Sequence, residues 1–183
     1  MFVISVSVTG TSRPLCVEFQ HDKTPVSLTN VMPATINTPL FDNARTKLGV
    51  KPVAPPPVYP PNIVADAVLY AAEHPVRDLV VGGAAKAMIL TQALAPRVLD
   101  VVLRKVGYRL HYTKDPKPEN APDNLFHPLP EHDTVEGTVG DHALRRSLYT
   151  WLELRPPLKR ATSIAVTAAA LTALRARRPL VDD

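Results

Sequence analysis

Apolar and polar positions change rhythm several times along this chain, and each change predicts an element. Val26 to Met32 is β-branched and apolar with a turn signal at each end, the pattern of a buried strand. Just before it, Leu15 to Asp22 reads as a short helix, with Pro14 in its first turn and Thr11 or Ser12 as cap. Further on, Ile63, Val64, Ala67, Val68 and Ala71 recur at helical spacing, so a helix is predicted from about Pro61 or Asn62 until Pro75. Arg77 to Val81 then reads as a short strand running into Gly82 and Gly83. A strongly apolar helical run follows from about Ala85 to Val106, which Pro96 should kink or divide.

Helix, strand, loop, helix, strand is the order of the closing portion of an open, mostly parallel sheet. The predicted fold class is therefore α/β: the C-terminal part of a Rossmann-like doubly wound sheet, followed by a mainly helical and partly disordered extension. The opening run from Met1 to Val8 is apolar without a basic leader and reads as a strand or buried segment rather than a signal peptide. Lys51 to Pro61 is so rich in proline that it is expected to be an extended connector, neither helix nor inner strand. From Tyr108 to about Tyr149 the periodicity fades, which predicts a loop or disordered stretch. An alanine-rich helix is expected from Leu158 to Arg178. These shifts divide the chain into a partial α/β domain at 1–106, a loop-rich and flexible segment at 107–157, and an apolar helix with its tail at 158–183.

Composition narrows the function classes. The hydrophobic fraction of 45% is enough for a packed core over most of the 183 residues. A net charge of +4 with acidic residues interspersed, and only 5% aromatics, gives no platform for nucleic acid. The single cysteine, Cys16, excludes an intramolecular disulfide and a cysteine-based zinc site within one chain, which fits a cytoplasmic setting.

The residues after the predicted inner strand carry the most chemistry. Pro33-Ala34-Thr35-Ile36-Asn37-Thr38-Pro39-Leu40-Phe41 resembles the Pro-Gly-x-Ile-x-Thr segment of short-chain dehydrogenases/reductases, in the place where that family carries it. Val17 to Asp22 ahead of the strand, the proline-rich connector, Ile63 to Ala67 and Asp78 to Gly83 extend the resemblance over about residues 8 to 105. The resemblance implies an NAD(P)-dependent oxidoreductase acting on an alcohol or carbonyl. It further implies that this segment passes the nicotinamide end of NAD or NADP. Carried over by position, Pro33 turns the chain, Ala34 stands where many relatives have glycine, Ile36 offers its backbone and Thr38 its hydroxyl. Backbone groups at the carboxyl end of a strand can orient a flat amide without mobile side chains.

Other parts of the family's chemistry are not found. No glycine-rich turn that would hold a pyrophosphate occurs. The family's Tyr-x-x-x-Lys pair places an acid/base tyrosine and a lysine on one helical face. An ungapped alignment through Val8-Thr9-Gly10 puts Met1 and Ser5 at those positions, and neither can substitute. The chain is thus expected to be a truncated member of the family, without catalytic residues of its own, for which cofactor binding alone is doubtful. Loss of the first half of the sheet would strip the Val26–Met32 strand of partners, which predicts a homo-oligomer or a companion chain.

Further constellations offer less. His127, Glu131, His132, Asp133, Asp141 and His142 lie in a proline-interrupted stretch that cannot align two ligands on one helical face, so no metal site is expected. Ser147 near Arg145 and Arg146 has no base or orienting acid at fixed spacing. Trp151 with Leu148, Leu152 and Leu154 reads as a docking patch, and Pro55-Pro56-Pro57 as a connector. In the last helix the uncharged centre, Ala161 to Leu174, falls short of the roughly 20 residues of a membrane span. Its basic flanks leave open packing on protein or attachment to a membrane surface through residues 158–178. The alternative function is accordingly a non-catalytic interaction or membrane-surface module that uses the apolar helices at 85–106 and 158–178.

Overall fold

A computed structural model describes residues 2–6, 9–130, 133–139 and 143–176. It divides into two compact units, Met1–Thr150 and Trp151–Asp183. The first is mixed α/β.

At its centre is a three-stranded parallel sheet in the order β1 (Phe2–Val6), β2 (Ser27–Pro33), β6 (Asp78–Val81). Leu28, Thr29, Asn30 and Val31 of β2 are buried in succession, as a strand with both faces covered requires. β2 thus has a neighbour along each side: Phe2 pairs with Ser27 and Val6 with Val31, while Asn30 pairs with Asp78 and Pro33 with Val81. This corrects the expectation that β2 would lack partners, because the opening residues themselves supply one. It also removes Ser5 from any helix, since Ser5 lies on β1 opposite Asn30. The ungapped alignment that set Ser5 at the lysine position therefore fails.

Helix α1 (Thr9–His21) makes the crossover from β1 to β2. It begins earlier than expected, and Pro14 lies inside it rather than in its first turn. The carbonyl deprived of a donor by Pro14 is that of Gly10, in the opening turn, where the disruption is confined to the helix end. Helix α3 (Asn62–Glu73) buries Ile63, Ala67 and Ala71, three positions of the predicted stripe. These residues join Leu28, Val31, Leu79 and Val81 in the core. The apolar run after β6 divides at Pro96 as expected, into α4 (Gly83–Leu94) and α5 (Pro96–Val102). A π-helical turn (Leu103–Gly107) and the short α6 (Tyr108–Leu110) continue it.

The proline-rich connector holds a surprise. Val58–Tyr59 forms a buried strand, β5, that pairs in parallel with β3 (Thr35–Ile36). Because the sheet has two strands, β5 is an edge and not an inner strand; pairing is possible here because these two residues interrupt the prolines and keep both amides. At its other end β4 (Val50–Pro52) pairs antiparallel with β7 (Tyr112–Pro116), out of the stretch expected to be loop.

Helix α7 (Leu148–Glu153) passes from the first unit into the second. In the second, α8 (Pro156–Ala176) accounts for the predicted alanine-rich helix. Arg155 stacks its guanidinium over the Trp151 ring at 4.3 Å, and Lys159 pairs with Glu153. Among the described residues no helix is long and apolar enough to cross a membrane.

Candidate functional site

The chain leaves the central strand at Pro33 and enters the segment singled out by sequence. Ala34 donates its amide to the Val81 carbonyl at 2.7 Å, which ties the start of the turn to the end of β6. Asn37 donates to the Tyr59 carbonyl at 2.8 Å. In a strand, successive peptide groups point to opposite sides. With the Asn37 amide aimed at β5, the Ile36 amide and carbonyl therefore point away from it. The Ile36 carbonyl accepts from the Thr38 amide at 2.9 Å in a tight turn. Thr38 is exposed, and its hydroxyl makes no hydrogen bond among the described residues.

Pro33 and Ala34 are half-buried against a glycine whose conformation is decisive. Gly82 has φ +94°, and a Cβ there would lie 2.7 Å from the Ala34 Cβ and 3.0 Å from the Tyr59 ring. Its amide donates to the Thr150 hydroxyl at 2.8 Å. Thr150 in turn bonds Ser147 twice, through its hydroxyl at 3.0 Å and its amide at 3.2 Å. Ser147 is thereby the N-cap of α7, a structural role. The alanine at position 34 is tolerated because Gly82, not residue 34, adopts the positive φ at this crossing.

The segment at 133–139 lies directly on the loop. Gly137 donates its amide to the Asn37 carbonyl at 3.2 Å, and a Cβ on it would sit 2.4 Å from the Thr38 carbonyl oxygen. The Asn37 side chain, 2% exposed, accepts from the Val139 amide at 3.2 Å. Asn37 thus fastens the loop to β5 on one side and to the 133–139 segment on the other.

Beyond Pro39, helix α2 (Leu40–Asn43) opens a cavity of about 400 Å³ lined by Asp42, Lys51, Lys117, Glu136 and Thr138 among others. Lys51 pairs with Asp42 at 2.5 Å, and Thr138 donates to the same carboxylate through hydroxyl and amide at 2.9 and 3.2 Å. Partial burial works against the ionised form of Asp42. The bonds from Lys51 and Thr138 outweigh it and hold the carboxyl below its ordinary range. Lys117 caps the end of α2 by donating to the carbonyls of Asp42 at 2.7 Å, Ala44 at 3.0 Å and Phe41 at 3.4 Å. On the outer rim Arg45 pairs with Asp123 at 2.7 Å. Hydrogen bonds to Arg45 and the Leu125 amide lower the Asp123 carboxyl.

The structure therefore gathers Pro33, Ala34, Ile36 and Thr38 on one short path at the carboxyl end of β2. Sequence reading did not find Asn37, Asp42, Lys117 or Gly137, which belong to irregular chain where no period marks them. Among the described residues no group of three or more histidine, cysteine, aspartate or glutamate side chains could hold a metal. Glu131, His132, Asp141 and His142 of the histidine-rich stretch lie outside the described residues.

No family model matches the sequence, and no solved structure matches it. A curated relative does: the chain is 31% identical over 165 residues to a protein of Bacillus subtilis (strain 168) named "Uncharacterized oxidoreductase YxnA". The match covers 90% of this chain and 44% of the relative, so the chain spans less than half the length of the protein it resembles.

Proposed function

We propose that this chain carries the nicotinamide-side part of the cofactor site of a short-chain dehydrogenase/reductase, an NAD(P)-dependent oxidoreductase of alcohols or carbonyls. The observation that carries the reading is the disposition of Ile36 and Thr38. Just past the carboxyl end of the central parallel strand, the Ile36 peptide edge points away from β5, and the exposed Thr38 hydroxyl makes no hydrogen bond among the described residues. The likeness to a protein named as an oxidoreductase supports the same class.

The residues present fit a nicotinamide. The Ile36 backbone would orient the carboxamide, and the Thr38 hydroxyl would bond carboxamide or phosphate. Pro33 and Ala34 would form an apolar wall. A bound NAD(P) would supply the hydride acceptor or donor. What the chain's own residues do is hold and orient: Asn37 fixes the loop, and the 133–139 segment covers one side of it.

Acid–base chemistry is not assigned to this chain. None of its five tyrosines is followed four residues later by lysine. The pyrophosphate turn and the acid–base pair belong, on this reading, to sequence outside this chain or to a companion chain. The chain alone then has no turnover, and only weak affinity for cofactor.

Saturation-transfer NMR with NAD and NADP tests the reading. Saturation should pass from protein to the nicotinamide protons in preference to the adenine protons, and Thr38→Val should reduce it. Transfer to adenine alone, or none at millimolar cofactor, would overturn the assignment. Turnover of carbonyl or alcohol substrates by the purified chain would overturn its non-catalytic part.

A further inference from the structure

We infer that residues 83–110 form a docking surface for anionic lipid membranes, lying on the bilayer rather than crossing it. From Ala87 to Leu110, every residue except Thr91, Ala95, Leu99 and Gly107 is exposed. Exposed apolar residues are ordinary when scattered, but here they are continuous. Met88, Leu90, Leu94, Val98, Val102 and Val106 are 45–83% exposed. The last three recur every fourth residue, on one side of the α5 helix and its π-helical continuation.

Charge says what covers this surface. The segment carries Lys86, Arg97, Arg104, Lys105 and Arg109 against Asp100 alone. Five basic residues less one acidic leave four, which equals the +4 formal charge of the whole chain. The charge excess of the protein therefore resides in this exposed apolar segment, and the rest of the chain is balanced. Among the described residues, none of these five cations takes part in a salt bridge.

An anionic bilayer satisfies both halves of this pattern, with aliphatic side chains at the acyl boundary and cations among the headgroups. A second copy of the same surface would bring like charges together. Nucleic acid would meet the cations but leave the valines and leucines in water. No helix among the described residues suits a span, which fixes the mode as interfacial.

Flotation of the full chain with vesicles tests the inference. It should float with phosphatidylcholine vesicles containing phosphatidylserine and be released by salt. Two separate variants should each lower partitioning at least tenfold: V98D/V102D through lost apolar contact, and R104E/K105E at about fivefold or more per charge removed. Far-UV circular dichroism should be unchanged in both, since the sites are exposed. An α8 variant, I164D/V166D, should float like the parent. The inference is overturned by failure to float, by equal flotation with pure phosphatidylcholine, or by loss of flotation in the α8 variant alone. Concentration-dependent dimerisation that V98D/V102D abolishes, without vesicle binding, would assign the surface to a second copy and overturn it as well.

Discussion

Replacing Gly82 with alanine should damage this fold more than the same change at Gly49, the other glycine with positive φ among the described residues. Gly82 and Gly49 share that backbone sign, at +94° and +72°, but not their surroundings. A Cβ on Gly49 would meet nothing within 4 Å, so Gly49→Ala isolates the backbone strain, about 1–2 kcal/mol. Gly82, with ψ 130°, lies outside the left-handed helical region, and its backbone strain of about 1–3 kcal/mol is joined by overlap with the Ala34 Cβ at 2.7 Å and the Tyr59 ring at 3.0 and 3.2 Å. Neither neighbour can step aside easily. The Ala34 amide is bonded to Val81, and Tyr59 is 5% exposed within β5. Overpacking of this kind costs about 1–3 kcal/mol, so Gly82→Ala should lose about 2–6 kcal/mol in all. Urea denaturation followed by circular dichroism, with both variants measured beside the parent, gives the comparison. Equal losses for Gly82→Ala and Gly49→Ala would refute the crowding at the Ala34 turn, and with it the proposed packing of the loop.

Three further outcomes follow from the site. Asn37→Ala should cost about 1–3 kcal/mol and expose residues 133–139 to limited proteolysis, because the Val139 amide loses its acceptor. Unchanged cleavage there would show that Asn37 does not hold the segment. Lys117→Met should cost about 1.5–3 kcal/mol by leaving the α2 carbonyls without their charged donor, with faster amide exchange in residues 40–44 as the readout. For Asp42 the folded carboxyl is depressed below its ordinary value of 3.8, so its contribution is present above that pH and lost as pH falls through the folded value. Asp42→Asn should therefore be less stable than the parent at neutral pH, and the gap should close in acid; a gap independent of pH would contradict the Lys51 pairing.

The parts of this fold that were legible in the sequence are those built on a period. The buried run of β2, the Ile63–Ala67–Ala71 stripe of α3 and the break at Pro96 each announce themselves through side-chain spacing. Strand β5 did not, because two residues are too few to show alternation and the surrounding prolines argue against pairing. The partner of β2 was misjudged for another reason. An apolar stretch reveals that it is buried, not which strand it lies beside. The candidate site shows the same divide. Pro33, Ala34, Ile36 and Thr38 formed a recognisable run, whereas the groups that hold that run in place come from far along the chain. Lys117 reaches α2 through three hydrogen bonds to backbone carbonyls, and Gly137 and Val139 reach Asn37 through one each. Such contacts depend on chain path alone and leave no pattern in composition or spacing.

The central claim is that the turn after β2 faces a nicotinamide. Backbone amide shifts of the isotopically labelled chain, titrated with NAD and NADP into the millimolar range, test it most directly. The account predicts shifts concentrated at Ala34, Ile36 and Thr38, reduced in Thr38→Val, with the amides of α3 undisturbed. Shifts absent from this turn, or centred on the Asp42–Lys51 cavity instead, would contradict it.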